Sequence, residues 1–388
     1  MIKMITAKIE EIDDIDIAVS EIEDQLNISE NLLTNSVGIL SCYCEFIDTG
    51  VVSALASALP FDIVGCTTLG NGTETGSGVM SLCLSVLTSD DVRFTTYMSA
   101  PLTSDFDTSK NIISEAYKKA KDSLDGEPKL LIPFLPLLDD LGGDIMLGML
   151  DSASGRIPTF GTLACDQYSD YHATRTICNQ KSSKDCISFL LMSGEINPRF
   201  LIATISEDNI QSQKAVITDS QGSLLKSVND VTAANYLKSV GLDTKDGIEG
   251  LSAVPFLINH NDGTKPSARV IYMVTEEGYA VAGGAMPIGG TLAVGTLESS
   301  DILKTTKKLI EDILKIEAKS CMLMFPCLSR SLILGSDMLG ELNLIKNCIS
   351  GKIPYHVCYS GGEYCPVYKS DNTTKNRFHN FSVIACLF

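Results

Sequence analysis

A short pattern occurs at three places in the sequence: a proline, an apolar run and a turn of small residues. The copies occupy residues 60–70, 158–166 and 354–363, and the last ends in Ser-Gly-Gly-Glu. Their prolines are separated by 98 and 196 residues. A short apolar run that ends in small residues is typical of a buried strand leading into a turn. The pattern therefore predicts three strand-end turns, of which the third carries the carboxylate of Glu363.

The segments around these turns repeat one order of predicted elements: helix, strand, loop, helix, strand, loop and strand. The three predicted copies cover residues 13–87, 107–192 and 299–388. Helices and strands alternate in any α/β chain, so it is the shared proline and turn that favour an internal repeat. The spacing would place a fourth copy at Pro255, but the elements around it read in a different order. Residues 67–78, 166–184 and 326–334 are predicted as loops.

Residues 198–283 have a different character, with short predicted strands and a single convincing helix at 231–240. Polar residues dominate near 206–225, which predicts a domain boundary there. We expect two domains, residues 1–215 and 216–388, each of ordinary domain size. The predicted fold class is α/β with α+β character: mixed β-sheets flanked by helices, with internal repeats, and not a regular Rossmann sheet.

Charge and composition exclude several classes of partner. The chain has 48 acidic and 30 basic residues, and its basic residues do not cluster, so a nucleic-acid partner is not expected. No apolar run approaches the roughly 20 residues that span a bilayer. The thirteen cysteines lie mostly in apolar runs, as expected in a reducing cytoplasm. They form no pair of zinc knuckles, and residues 283–290 lack the context of a dinucleotide fingerprint, so neither metal nor cofactor is expected.

Six short motifs follow one another along the chain: Val-Gly-Cys-Thr-Thr at 64–68, the segments 158–166 and 228–237, Cys-Leu-Ser-Arg at 327–330, Gly-Gly-Glu at 361–363 and Phe-His-Asn at 378–380. Together they resemble the FIST family of sensory proteins, which pairs an N-terminal and a C-terminal FIST domain. Asn71 departs from the pattern, since a Gly-Glu pair would follow the first motif. Thr162 also departs, in the glycine-rich segment.

The resemblance implies a small-molecule sensor without catalysis, with amino acids or related metabolites as ligands. Family members often carry an appended output domain, for which this chain has no room. We therefore expect a separate signalling partner to receive the output, or binding alone.

The residues themselves suggest how such a ligand would be held. Arg330 follows an apolar strand, and its guanidinium suits a carboxylate, while Glu363 could accept from an ammonium group. The alternative is that these two residues pair with each other. The remaining candidates are turn or strand-end residues that either contact the ligand or satisfy local backbone groups: Cys66, Thr67, Thr68, Asp166, Tyr359, Gly361, Gly362, His379 and Asn380.

Two other functions remain open from the sequence. Cys66 or Cys358 could act as a nucleophile with His356 or His379 as base, which would make the protein a cysteine-dependent enzyme acting on a small metabolite. A protein–protein scaffold is the third possibility, and it predicts no response to small ligands.

Overall fold

Three six-stranded β-sheets, each with the same inner arrangement of four strands, form the main body of the fold. The computed structural model describes residues 1–138, 140–168, 170–242, 251–317, 319–371 and 373–388. Three successive units of the chain build these sheets, and a fourth sheet is inserted into the third unit. The fold is α+β with mixed sheets, and the internal repeats predicted from the sequence are present.

The first unit contributes four long strands and a hairpin. Its elements are β1 (Lys3–Ile9), α1 (Ile15–Leu26), α2 (Ile28–Asn31), β2 (Asn35–Cys42), α3 (Glu45–Asp48), α4 (Val51–Ala58), β3 (Asp62–Thr67), β4 (Asn71–Thr73), β5 (Gly76–Gly78) and β6 (Leu82–Ser89). The spatial order is β1-β6-β2-β3, with β2 and β3 parallel and the other pairs antiparallel. Asp14 caps α1 by accepting from the Ile17 amide, and Asn27 ends the helix in the left-handed conformation.

The second unit repeats this arrangement. Its elements are β7 (Val92–Met98), α5 (Phe106–Ser123), β8 (Leu130–Leu135), α6 (Gly143–Ser154), β9 (Gly161–Leu163), β10 (Thr176–Cys178), β11 (Lys181–Ser183) and β12 (Ser188–Gly194). The order β7-β12-β8-β9 matches the first unit, again with one parallel pair, β8 with β9.

The third unit begins with one strand and is then interrupted by an antiparallel sheet. The elements of this stretch are β13 (Arg199–Ala203), a 3-10 turn (Glu207–Asn209), β14 (Ala215–Gln221), β15 (Leu224–Val228), β16 (Val231–Thr232), α7 (Ala233–Ser239), β17 (Phe256–Asn259), β18 (Ser267–Arg269), β19 (Ile271–Val274), β20 (Ala280–Ala282) and β21 (Thr291–Val294). Strands β14 to β21 form the inserted sheet, in the order β18-β17-β21-β14-β15-β20-β19 with β16 beside β15. This sheet accounts for the short strands predicted within residues 198–283, except that Arg199–Ala203 belongs to the third six-stranded sheet.

The third unit then resumes. Its remaining elements are α8 (Ser299–Leu314), β22 (Met322–Pro326), α9 (Leu328–Leu334), a 3-10 turn (Gly335–Asp337), α10 (Gly340–Ile349), β23 (Tyr355–Cys358), β24 (Glu363–Tyr368), β25 (Thr374–His379) and β26 (Val383–Leu387). The order β13-β26-β22-β23 repeats that of the other units. The loop predicted at residues 326–334 is wrong in part, because 328–334 form α9.

Each unit also lends a hairpin to another unit. The hairpin β4–β5 extends the third sheet beside β23, β10–β11 extends the first beside β3, and β24–β25 extends the second beside β9. The loops predicted at 67–78 and 166–184 thus contain paired strands. The exchange is cyclic, so no unit completes its sheet without another. The boundary predicted at 215/216 stays a prediction, and strands from both sides of it share two of the sheets.

The inner faces of the three sheets share one apolar core. Val64, Phe134, Phe160, Phe325 and Cys358 all belong to it and are buried. The rings of Phe160 and Phe325 stack with centroids 5.2 Å apart. Helices from each unit cover the outer faces. In the described part of the chain, no helix combines the length and apolar character needed to cross a membrane.

Candidate functional site

The three strand-end turns predicted from the sequence meet at one place, around the carbonyl of Tyr359. The Thr68 hydroxyl donates to this carbonyl at 2.7 Å, and the Cys165 thiol donates to it at 3.3 Å. The Tyr359 amide in turn donates to the Gly70 carbonyl at 2.9 Å. Each unit therefore contributes its turn to a shared, closely bonded junction.

Gly361 and Gly362 serve packing at this junction. Neither has a positive φ. A Cβ on Gly361 would lie 2.9 Å from the Ala164 carbonyl oxygen, and one on Gly362 would lie 2.5 Å from the Phe378 ring. The glycines are needed because neighbouring chain segments approach them closely.

Glu363 is fully buried and only partly bonded. Its Oε2 accepts from the Ser382 hydroxyl at 2.6 Å, whereas Oε1 has no hydrogen-bond partner among the described residues. Burial raises the pKa of Glu363 to about 8, although the Ser382 hydroxyl and the nearby Cys327 thiol act in the opposite direction. The carboxyl group is therefore mostly protonated at neutral pH.

His379 lies opposite Glu363, and both His379 and the next residue, Asn380, are incompletely bonded. Glu363 pairs directly with His379 across β24 and β25, which places their side chains on one face of the sheet. His379 Nε2 and Asn380 Oδ1 are buried, and within the described chain neither has a partner. Burial, followed by the nearby charges of Arg269 and Arg377, holds the pKa of His379 well below its usual value. The C-terminal candidates are thus brought together.

The position of Glu363 has an equivalent in each of the other units. Asn71 and Thr176 also begin an exchanged hairpin, opposite Cys358 and Cys66. Asn71 Oδ1 accepts from Ser81 at 2.5 Å, and its amide donates to the Ser41 carbonyl at 2.8 Å. Asn71 thus stands where a glutamate was expected.

The Thr176 hydroxyl donates to the Cys186 carbonyl at 2.7 Å. All three side chains therefore tie a hairpin to the one or two residues that lead into their own unit's last strand. Glu363 alone of these three is ionisable.

Arg330 does not pair with Glu363, contrary to the alternative raised from the sequence. It lies in α9, fully buried, and its Nε and Nη2 donate to Glu341 Oε1 at 2.9 and 2.7 Å. Nη1 donates to the Phe381 carbonyl at 3.3 Å, and Nη2 also donates to the Ile302 carbonyl at 3.0 Å. The guanidinium is already satisfied by a structural ion pair and carbonyl groups.

The N-terminal candidates also have local partners. Cys66 is buried in the shared core. Thr67 Oγ1 accepts from the Arg175 amide at 2.9 Å. Asp166 accepts from the amides of Tyr168 and Ala173 at 2.8 and 2.7 Å, as a turn carboxylate does.

All thirteen cysteines are free, and burial raises the pKa of the Cys66 and Cys358 thiols well above the ordinary value. His356 Nδ1 lies 2.9 Å from the Ser85 hydroxyl, and burial lowers its pKa to about 3. Across the described ranges, no group of three or more His, Cys, Asp or Glu side chains could hold a metal ion.

Residues of the inserted sheet lie close to Asn380, and the sequence did not predict this contact. A Cβ on Gly283 would lie 2.8 Å from Asn380 Oδ1 and 3.1 Å from the Tyr272 hydroxyl. A Cβ on Gly284 would lie 2.7 Å from Arg269 Nε. In the sequence, the glycine-rich composition of residues 283–290 was the sign of this contact, because such close approach requires glycine.

A surface groove of about 690 Å³ lies away from these residues, and it is lined by Phe61, Tyr97 and other residues of the first two units.

Comparisons with known proteins identify the family. The FIST N domain matches residues 36–231, and the FIST C domain matches residues 233–366. A search of curated proteins gave no match.

Among solved structures, the chain is similar to cyanuric acid hydrolase from A. caulinodans. The identity is 8%, the match covers 100% of this chain and 99% of that chain, and the TM-score is 0.35. PurLQS from Thermotoga maritima gives 9% identity, coverage of 100% and 72%, and a TM-score of 0.21. Neither superposition is close enough to support an inference. The two domain matches together span most of the sequence, and the chain therefore belongs to the FIST family, whose domains are sensory domains of signal transduction.

Proposed function

We propose that the protein is a non-enzymatic sensor of an amino acid-like metabolite, and that the ligand's ammonium group binds Glu363. The observation that carries this proposal is the buried, unpaired Glu363 Oε1, together with the buried, unpaired Oδ1 of Asn380, which follows the ladder partner of Glu363 in the chain. A buried polar atom without a hydrogen-bond partner lowers the stability of the fold by about 1–3 kcal/mol. Two such oxygens therefore indicate a binding partner that satisfies them. Once the carboxyl group of Glu363 is ionised, both oxygens are acceptors suited to an ammonium group.

Binding of a cation would change the protonation of Glu363. An ammonium group at hydrogen-bond distance favours the ionised carboxylate and lowers its pKa. Because the free carboxyl group is mostly protonated at pH 7, ligand binding releases a proton to the solvent. The affinity for an amine should therefore rise with pH up to about 8.

Burial of the thiols supports a sensor over a cysteine-dependent enzyme. A nucleophilic cysteine needs a thiolate and an oriented base. The raised pKa of Cys66 and Cys358 disfavours the thiolate, and His356 lies beside Ser85 with a pKa of about 3. A cytoplasmic location, which the free thiols support, and a separate output protein are parts of the same proposal.

A thermal-shift screen with the common amino acids and their decarboxylated amines tests the proposal. Saturating ligand at about 100 times its Kd should stabilise the wild type by about 2.7 kcal/mol. Glu363→Gln should reduce the affinity at least tenfold. Asp166→Asn is the matched control, because Asp166 is a buried carboxylate bonded to backbone amides, and its ligand response should be unchanged. The proposal fails if neither amino acids nor amines stabilise the wild type, or if Glu363→Gln responds like the wild type.

A further inference from the structure

Two buried arginines lie where the inserted sheet packs against β25. Arg269 ends β18 and is fully buried, and Arg377 in β25 is 5% exposed. Arg269 Nη1 donates to the Phe378 carbonyl at 2.9 Å, and Arg377 Nη2 donates to Asp262 at 2.5 Å. The Nε atom of each arginine is buried, and no described residue bonds to it. Both guanidinium groups therefore keep an unused donor.

The ion pairs of the two arginines are unequal. Lys375 adds a third cationic group, and it shares Asp262 with Arg377, at 2.9 Å from Asp262 Oδ2. The second carboxylate is Asp144, whose Oδ2 lies 3.5 Å from Arg269 Nη2 and also accepts from the Ala285 amide. Asp262 is thus shared by two cations, and the ion-pair contact between Arg269 and Asp144 is the longer one. A buried, incompletely neutralised cation is costly, and an anion would offset that cost.

The cluster adjoins the Glu363 site. Glu363 is opposite His379 in the ladder, and His379 lies within the electrostatic reach of both Arg269 and Arg377. The glycine strip, residues 283–284, covers Arg269 Nε at one end and Asn380 Oδ1 at the other. The Gly283 amide holds this strip to the Val270 carbonyl at 2.8 Å. The unpaired Nε of Arg269 and the unpaired Oδ1 of Asn380 therefore lie under the same short segment.

We infer that Arg269 receives the carboxylate of the ligand whose ammonium group binds Glu363, an inference that rests on the proposed function. A guanidinium with a free Nε–H can bind a carboxylate through two parallel hydrogen bonds. The ligand then lies between the three-unit core and the inserted sheet, and it enters by moving the glycine strip away from Arg269. Arg269 takes the role that the sequence suggested for Arg330.

Matched probes separate the two ends of the ligand. The full-length wild type is titrated at constant pH and ionic strength with each stabilising amino acid and with the amine that lacks its carboxylate. The amino acid should bind at least tenfold more tightly than the amine. Sodium acetate should also raise Tm more than sodium chloride does.

Variants assign the effect to Arg269. Arg269→Gln should bring the amino acid to the affinity of the amine and abolish the response to acetate. Lys119→Gln is the control, because it removes a half-exposed cation that pairs with Glu115 on α5, outside the cluster, and it should leave the discrimination intact. If Arg269→Gln retains the discrimination, Arg269 is not the carboxylate site.

The wild-type titration tests the assignment of Arg269 even if Arg269→Gln does not fold. Equal affinities for the amino acid and the amine would overturn the assignment of Arg269 while leaving the Glu363 sensor intact. Absence of binding by both probes would instead refute the proposed function itself.

Discussion

Three residues begin the exchanged hairpins, and each has a different side chain. The amide of Asn71 and the hydroxyl of Thr176 tie their hairpins through neutral hydrogen bonds. Glu363 makes the same type of tie through Ser382, so a neutral side chain would suffice there. A carboxyl group adds an unpaired oxygen and a desolvation cost that the other two positions avoid. A costly ionisable group at a position where neutral groups suffice indicates a function beyond folding.

Glu363→Gln should change how stability depends on pH. The folded pKa of Glu363 is about 8, against about 4.3 in an unfolded chain, so the folded state retains a proton that the unfolded state has lost. Stability therefore falls as pH rises through this range, by about 1 kcal/mol between pH 7 and pH 8 from this group alone. Urea unfolding at several pH values measures the fall in the wild type and in Glu363→Gln.

The difference between the two proteins isolates Glu363 from its neighbours. The titratable groups around it include Cys327, Arg330, Arg269, His379, Cys165, Cys365, Tyr272 and Tyr364. The buried thiols also make stability fall with pH in both proteins. Above pH 7 the buried histidines are neutral in both the folded and unfolded states and add little. Parallel pH profiles for the wild type and the variant would show that Glu363 is not held protonated.

The sequence could identify part of the candidate site. Glu363, His379 and Asn380 belong to one hairpin, so the pattern that marked the third turn also marked its neighbours. The partner of Arg330 could not be foreseen, because Glu341 lies on α10 and reaches it only through helix packing. Arg269 was missed for the same reason, since it belongs to the inserted sheet, which meets the site through tertiary contact.

At the scale of elements, the long helices and the central strands could be predicted, and the exchanged hairpins could not. The helices have enough turns to show periodicity, and strands such as β8 are continuously apolar. The hairpin strands β10 and β11 have three residues each, too few to show alternation. The strands with which they pair belong to another unit, so the local sequence does not indicate the pairing. The helix α9 is seven residues long and was missed for similar reasons.

A pair of glycine substitutions tests the packing of the central strands. Gly65 faces Leu40 in the parallel pair β2–β3, and a Cβ there would lie 1.7 Å from the Leu40 carbonyl oxygen. Gly65→Ala should therefore destabilise the fold by about 3 kcal/mol or more, because backbone must move. Gly148→Ala is the control: it lies in α6, where a Cβ would meet no heavy atom of the described residues within 4 Å, and alanine there should stabilise by about 0.5–1 kcal/mol. Equal effects in urea unfolding would contradict this account.

At the scale of the whole molecule, the repeat was visible in the sequence but the dependence between its copies was not. The prolines and turns show three units, whereas the cyclic exchange of hairpins depends on pairing between distant segments. The third unit is split by the inserted sheet, because β13 pairs with β26 across residues 204–382. The N-terminal and C-terminal parts of the chain are therefore joined by shared sheets as well as by the covalent link.

This arrangement predicts that the two halves of the chain do not fold separately. Residues 1–215 would retain β4–β5 without β23, and their second sheet would lack β24–β25. Residues 216–388 would lose β13 at the edge of the third sheet. Each half would expose strand edges and part of the shared core, which favours aggregation over a folded domain. Circular dichroism should show no cooperative thermal transition for either half alone, whereas the halves produced together should form a soluble complex that unfolds in one transition. Cooperative unfolding of the isolated halves would instead establish 1–215 and 216–388 as autonomous domains, and the exchanged hairpins would then contribute little to the stability of each half.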